Sequence, residues 1–343
     1  MSPARDLLEQ LLEGEHLTQP QAETLLGLLT DGTTPPAMIG AVLAALRAKG
    51  AVADEVRGFA EAMSRLARQP ALPAVMRAID IVGTGGDRSG SLNISTGTAL
   101  LTAACGLPVV KHGNRSVSSR AGSADVLEVL GLPMPLDEQA AGACLAECGF
   151  TFLFAPHYHA ATQAVAAARR ALGVRTVFNI LGPLTNPAQP SLRLIGAFSL
   201  EVAELMAESL AGMRIERAFV VHGAEGWDEP TPVGPFTLFD VRPGEVRTEE
   251  RRPEDYGLPR CPSSALTGGD AEHNAAALRA VLCGEARGAH RDCLLLGTAL
   301  ALEVAGQIED PLAGVARAAE AIDNGSAARV LAALARLGGS HGG

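Results

Sequence analysis

Apolar positions along the first 68 residues recur at helical spacing. Leu7, Leu8, Leu11 and Leu12 share one face of a short first helix that Gly14 ends. Thr18 is placed to cap a second helix that runs to Thr30 on Leu25, Leu26, Leu28 and Leu29. Asp31-Gly32 breaks it, Pro35-Pro36 opens a third through Ala45, and Gly50 stops that one. Asp54 is the expected cap of a fourth, which carries Val56, Phe59, Ala60, Met63 and Leu66. No strand pattern interrupts them, so residues 1–70 are expected to form a small helical domain, joined by part of 175–195, with a boundary at the prolines Pro70 and Pro73. From Ile79 the texture changes to short β-branched or apolar runs between helical patterns. Strands are predicted at 79–82, 109–110, 151–154, 194–197, 218–222 and 238–241. Helices are predicted near 97–105, 123–131, 138–148, 160–172, 201–213, 271–283 and 311–336. This alternation predicts an α/β domain over 71–343 with a largely parallel sheet, the stretch 230–262 having a more antiparallel character.

Composition narrows the class. The 343 residues are 47% apolar and only 3% aromatic, enough for a helix-rich core without disulfide or metal staples. A formal charge of −10 disfavours a broad grip on nucleic acid or an anionic membrane, though not a local basic pocket. The six cysteines form no CxxC pair, and Cys144 and Cys148 are spaced as neighbours on one helix face. With no signal-peptide pattern at the N-terminus and no apolar run of the ~18 residues a spanning helix needs, the chain is expected to be soluble and cytoplasmic.

The sharpest chemistry lies between Asp80 and Ser123. An apolar run enters the turn Gly83-Thr84-Gly85-Gly86 and meets Asp87; Asn93-Ile94-Ser95-Thr96 opens a helix; Lys111-His112-Gly113-Asn114-Arg115 follows, then Ser116, Ser118, Ser119 and Ser123. Glycine turns and helix starts present free N–H groups to anions, so two such turns carrying hydroxyls, Asn, Lys and Arg make a phosphate cradle. A dinucleotide fingerprint is excluded because its third glycine falls on Arg88, and no GxxxxGK[ST] occurs.

Outside this stretch, the Arg169-Arg170 pair is equally a solvated helix face or a binding element. The segment 178–187, with two Pro and two Asn, is a rigid turn or a crossover that sets one domain against the other. Asp228 and Glu229 follow Gly226 in a loop, where both carboxylates can converge on a divalent cation such as magnesium. His157 and His159 lack a third soft ligand nearby, which favours core or substrate-contacting histidines over zinc.

Taken in order, DIVGTGGD, NIST, KHGNRSVSSRAGSADVLE, Arg169, FNILGPLTNP and GWDE resemble the anthranilate phosphoribosyltransferases of tryptophan biosynthesis over nearly the whole chain. The resemblance implies a helical domain joined to an α/β domain of the nucleoside phosphorylase/phosphoribosyltransferase type, usually as a homodimer. It implies transfer of phosphoribose from phosphoribosyl pyrophosphate (PRPP) to the amino group of anthranilate, with Mg2+. By motif, PRPP contacts fall on Gly83, Gly86, Asp87, Ser91, Asn93, Ile94, Ser95, Thr96, Lys111, His112, Gly113, Asn114, Arg115, Ser116, Val117, Ser118, Ser119 and Ser123. Magnesium falls on Ser95, Asp228 and Glu229; anthranilate falls on Gly83, Asn114, His159, Arg169 and Pro183, with His112 and Arg169 as the catalytic candidates. Ala160, Gln163 and Trp227 stand where the family usually has a proline, a basic residue and a smaller aliphatic one. A pyrimidine nucleoside phosphorylase-like enzyme and a nucleic-acid-binding relative of the fold are the alternatives; KHGNR with FNILGPLTNP argues against the first, and the charge against the second.

Overall fold

The computed structural model describes residues 3–73, 76–116 and 120–339. Four helices lead: α1 (Pro3–Leu12), α2 (Gln19–Thr30), α3 (Pro36–Lys49) and α4 (Ala53–Leu66). Thr18 caps α2 as expected, exchanging hydrogen bonds with Gln21 in a capping box. Asp54 does not cap α4. Val52 holds that position, and the fully buried Glu55 accepts the Val52 N–H at 3.0 Å, accepts the Leu17 N–H at 2.9 Å and pairs with Lys49 Nζ at 2.9 Å. A carboxylate three residues inside the helix thus supplies the returning half of a capping box, accepting the N–H of the N-cap residue itself.

The sheet comprises β1 (Ile79–Gly83), β2 (Val109–Gly113), β3 (Phe150–Phe154), β4 (Leu192–Gly196), β5 (Arg217–His222), β6 (Phe236–Arg242) and β7 (Glu245–Arg251). Its order is β3-β2-β1-β4-β5-β6-β7. The pairings from β3 to β5 are parallel, while β6 and β7 form an antiparallel edge. The charged, exposed residues of β7 protect that edge from further pairing. Chain order runs outward from β1 in one direction and from β4 in the other. The gap between their carboxyl ends is therefore a topological switch point, where open α/β sheets bind ligands.

The remaining helices are α5 (Ile94–Ala104), α6 (Ser123–Val129), α7 (Glu138–Cys148), α8 (Ala155–Tyr158), α9 (Gln163–Leu172), α10 (Phe178–Leu181), α11 (Leu200–Ala211), α12 (Ala271–Leu282), α13 (Ala289–Val304), α14 (Pro311–Asp323) and α15 (Ser326–Gly339). The predicted helix 311–336 is two helices, parted at Asn324 and Gly325, whose φ is +76°. One core packs α5, α7 and α12–α15 around the sheet. A second packs α1–α4 with α9, α10, α11 and apolar residues of β4, β5 and β6. Cys144 and Cys148 are neighbours on α7 as their spacing predicts, Sγ to Sγ 3.8 Å. Among the described residues no helix is long and apolar enough to cross a membrane.

Candidate active site

The carboxyl ends of β1 and β4 are glycines because the loop after β5 lies directly on them. A Cβ on Gly196 would sit 1.6 Å from the Asp228 carbonyl oxygen, and one on Gly83 would sit 2.5 Å from Asp228 Oδ2. The turn after Gly83 is then sewn in place. Thr84 N–H donates to the Gly196 carbonyl at 2.9 Å, Gly85 N–H donates to Asp228 Oδ2, and Thr84 Oγ1 donates to the same oxygen at 3.4 Å. Asp228 N–H approaches Asp87 Oδ2 at 3.4 Å, and Glu229 Oε1 accepts the Ser95 N–H at 3.0 Å in the first turn of α5.

Three carboxylates thus gather around one turn and one helix start. Burial pushes Asp228 well above the usual carboxylate range, and the charges of Glu229 and Asp87 push it further. Glu229 keeps part of its surface in solvent, but burial of its carboxyl raises it to about 7, against the pull of Lys111 and the Ser95 N–H. Such crowding is relieved by a proton or a cation. Hard oxygen donors with the Ser95 hydroxyl close by suit magnesium, which keeps several waters rather than needing a full protein cage. Among the described residues, no group of three or more His, Cys, Asp or Glu side chains closes such a cage.

Beneath this turn, Lys111 is almost fully buried, its Nζ donating to the Ile81 carbonyl and, at 3.3 Å, to Ser95 Oγ. Burial lowers its pKa, while Asp80, Glu229 and Asp228 raise it. Asp80 lies opposite Arg193 in the β1–β4 register. Its carboxylate accepts Asn186 Nδ2 at 2.8 Å and the His112 N–H at 3.2 Å. Arg193 in turn donates to the Leu184 carbonyl at 2.9 Å. These buried polar groups fix the segment 182–186 against β1 and β2.

The same segment receives two histidines. His112 Nδ1 donates to the Gly182 carbonyl at 3.1 Å and His159 Nε2 donates to the Thr185 carbonyl at 2.9 Å, the rings meeting edge to face with centroids 5.0 Å apart. Since carbonyls only accept, both rings carry their proton on the named nitrogen. His112 Nε2 is left buried without a partner. Burial, then His159, pushes His112 down to about 3. The unfolded chain therefore binds a proton that the folded one refuses, and this contribution to stability is present above about pH 6.5 and declines as pH falls below it. Nitrogen-detected spectra of histidine-labelled protein are expected to show His112 neutral at Nε2 from about pH 5 to 8. A His112 titration near its ordinary 6.5 would mean that solvent reaches the ring.

The other predicted residues are placed unevenly. Gly86, Asp87 and Ser95 lie on the turn or the start of α5, but Ile94 packs in the core and Thr96 is fully buried, its Oγ1 without a hydrogen-bond partner. Asn93 spends its side chain on structure, donating to the Ala121 carbonyl at 3.1 Å and accepting from Asn274 at 2.9 Å. Ser91 pairs with Thr267 in a β-bridge. Gly113 packs against Ser123 and Phe152; Asn114 and Arg115 are exposed, and Arg115 Nη1 lies 2.8 Å from both Asp125 and Glu128. Ser116 N–H donates to Asp125 at 3.2 Å. Val117, Ser118 and Ser119 lie outside the described residues. Arg169, on α9, stacks 5.2 Å from the Phe178 ring centroid and is desolvated, which lowers its pKa; among the described residues no carboxylate pairs with it. The buried Pro183 lies in a tight turn next to His112 and lends its carbonyl to Arg193 at 3.4 Å. Trp227 is buried in the core. Sequence reasoning quoted Asp80, Thr84 and Asn186 within its motifs but gave them no role, and it did not name Arg175 or Arg193. For Asp80 and Arg193 a signal existed: each is a charge inside an apolar strand run.

The chain matches two family descriptions, "Glycosyl transferase family, helical bundle domain" over residues 5–67 and "Glycosyl transferase family, a/b domain" over residues 76–328. It is 47% identical over 330 residues to the anthranilate phosphoribosyltransferase of Desulforudis audaxviator, covering 96% of this chain and 95% of that one. The enzyme of Rhodopseudomonas palustris strain HaA2 is 44% identical over 321 residues, with 94% of each chain covered. Among solved structures, anthranilate phosphoribosyltransferase from Thermus thermophilus superposes with a TM-score of 0.90 at 40% identity, over 97% of this chain and 99% of that one. The Saccharomyces cerevisiae enzyme in complex with PRPP and Mg gives 0.88 at 27% identity, over 98% of each chain. The helical bundle, the parallel sheet and the motif order agree with these matches, and the chain belongs to the anthranilate phosphoribosyltransferases.

Proposed function

We propose that this protein transfers the phosphoribosyl group of PRPP to the amino group of anthranilate, giving N-(5-phosphoribosyl)anthranilate and pyrophosphate in tryptophan biosynthesis. The observation that carries the reading is the glycine turn 83–86 at the switch point, overlain by Asp228 and Glu229 and backed by the buried Lys111. An anion placed on the turn has the N–H groups of Gly86 and Asp87 and nearby hydroxyls to bind, those of Thr84, Gly85 and Ser95 being already given to Gly196, Asp228 and Glu229. Ser95, Asp228 and Glu229 would hold magnesium, which when bound would supply positive charge to stabilise pyrophosphate as a leaving group. Gly83, Gly86, Asp87, Ser91, Asn93–Thr96, Lys111–Ser116 and Ser123 serve PRPP binding, with Val117, Ser118 and Ser119 assigned to it by motif alone; Asn93 and Arg115 act chiefly by shaping the loops to which their side chains are tied.

The acceptor lies over Gly83 and Asn114 toward His112, His159, Arg169 and Pro183. Arg169, desolvated and lacking a carboxylate partner among the described residues, grips the acceptor's carboxylate in a bidentate fork. A neutral His112 with Nε2 free orients the amino group by accepting its hydrogen bond, while the acceptor's own ortho carboxylate takes the proton. Catalysis is then mainly positioning at an oxocarbenium-like centre. The shared core of α1–α4 and 177–184 supports a helical domain of residues 1–70 joined by part of 175–195, the α/β domain taking 71–343. We also assign a homodimer and a cytoplasmic location on family grounds.

The test is loss of anthranilate fluorescence, expected only when PRPP and Mg2+ are both present. Arg169→Ala is expected to raise KM for anthranilate about thirtyfold, the worth of a ~2 kcal/mol charged hydrogen bond, with KM for PRPP changed less than about twofold. Equal losses for both substrates would remove Arg169 from the acceptor site.

A further inference from the structure

Arg175 joins three parts of the molecule that lie far apart in the chain. Its Nη2 donates to the Gly86 carbonyl, on the far side of the turn that begins at Gly83. Its guanidinium lies on Phe198, 3.8 Å from the ring centroid, in the loop after β4. Its own carbonyl accepts Arg47 Nη1 from α3 at 2.7 Å. Phe198 is itself tied to the turn, since its N–H donates to Thr84 Oγ1 at 3.2 Å. Gly86 has φ +77°, and a Cβ there would lie 3.2 Å from Arg175 Nη2, so the bare backbone is what lets the guanidinium reach the carbonyl. Among the described residues no carboxylate pairs with Arg175, leaving its charge beside the turn.

We propose that Arg175 is a positioning residue that locks the 84–87 turn in its anion-receiving form and links it to the helical bundle through Arg47. This rests on the PRPP reading above and assigns the turn's shape to a residue outside the motifs that carry that reading. A turn with two glycines at positive φ, Gly85 and Gly86, is loose by itself. Fixing the Gly86 carbonyl against Arg175 turns the Asp87 N–H, on the opposite side of the same trans peptide, away from Arg175 and toward the ligand, so binding need not order the turn. The stacked, planar fork does this; a flexible ammonium does not.

Arg175→Ala is expected to raise KM for PRPP about tenfold, to leave kcat at saturating PRPP within about twofold, and to leave KM for anthranilate unchanged. In the unliganded protein, hydrogen exchange at residues 85–89 is expected to quicken by about tenfold, with other segments unaffected. Arg175→Lys is expected to resemble alanine in exchange. An unchanged PRPP KM, an unchanged exchange rate, or full rescue by lysine overturns the proposal; so does a fall in kcat with KM intact. Calorimetric titration of the wild-type protein with PRPP and Mg2+ separates the two readings. If the wild type does not bind PRPP, the substrate assignment fails while exchange still decides whether Arg175 holds the turn. If it binds and Arg175→Ala binds equally well, only the role of Arg175 falls.

Discussion

Alanine at position 83 is expected to lower kcat/KM by about two to three orders of magnitude, roughly 3–4 kcal/mol of transition-state stabilisation, with the fold retained. The added methyl would lie 2.5 Å from Asp228 Oδ2 and 3.0 Å from Cγ, and a real contact cannot be that short. What gives way first is the end of a side chain. The Asp228 carboxylate swings off the Gly85 N–H and Thr84 Oγ1 and no longer faces the turn. Position 196 makes the contrast: there the methyl would meet the Asp228 backbone oxygen at 1.6 Å, so the whole loop must move and folding suffers with activity. For Gly83→Ala the Mg2+ concentration giving half-maximal rate should rise together with KM for PRPP, while the thermal midpoint falls by only a few degrees (~1 kcal/mol). Steady-state kinetics over a magnesium titration decide it. A variant with normal magnesium dependence would show that Asp228 does not serve the metal.

The same contrast between local and distant causes explains what could be read from the chain. Helices α1–α4 and strands β1–β6 declare themselves within their own windows, through leucine spacing or short β-branched runs. Helix α13 does not, because Cys293–Leu302 is apolar on every side and buried all round, and periodicity needs a polar face to be seen. The break between α14 and α15 rests on one residue, Gly325, inside an otherwise continuous apolar stripe. In the site, the glycine turn is conspicuous because glycine clusters are a local signal, and Ser95, Lys111, Asp228 and Glu229 stand out because each sits in a short motif beside glycines or hydroxyls. Arg175 was not, since nothing near it in the chain predicts a carbonyl at Gly86 or a ring at Phe198 as its partners. Asp80 and Arg193 make sense only once β1 lies beside β4, 113 positions on, a pairing the local pattern does not contain.

Lys111→Met is expected to destabilise the protein by about 3–5 kcal/mol near neutral pH, the cost of leaving buried carboxylates without their cation. The side chain is 1% exposed, and Asp80, Asp228 and Glu229 all act on it. Methionine fills nearly the same volume, so lost packing is a small part of the effect. The pH dependence identifies the cause. Burial holds the folded pKa of Glu229 at about 7, above its ordinary 4.5, so the folded chain binds the proton more tightly than the unfolded one. Its favourable contribution is fully present below 4.5 and is lost as pH rises through about 7. Asp80 and Asp228 are raised by burial in the same direction. Removing the lysine raises all three further; for Glu229 the two folded proteins then differ in protonation only above about 7, so the gap between wild type and variant should widen as pH rises from about 7 to about 9. The lysine's own lowered pKa widens the gap further on the alkaline side, where the wild type sheds that proton as it folds and gains stability with rising pH while the variant does not. Urea unfolding of both proteins at the two pH values measures the difference directly. A gap that stays constant would assign the loss to the Ile81 and Ser95 hydrogen bonds rather than to charge.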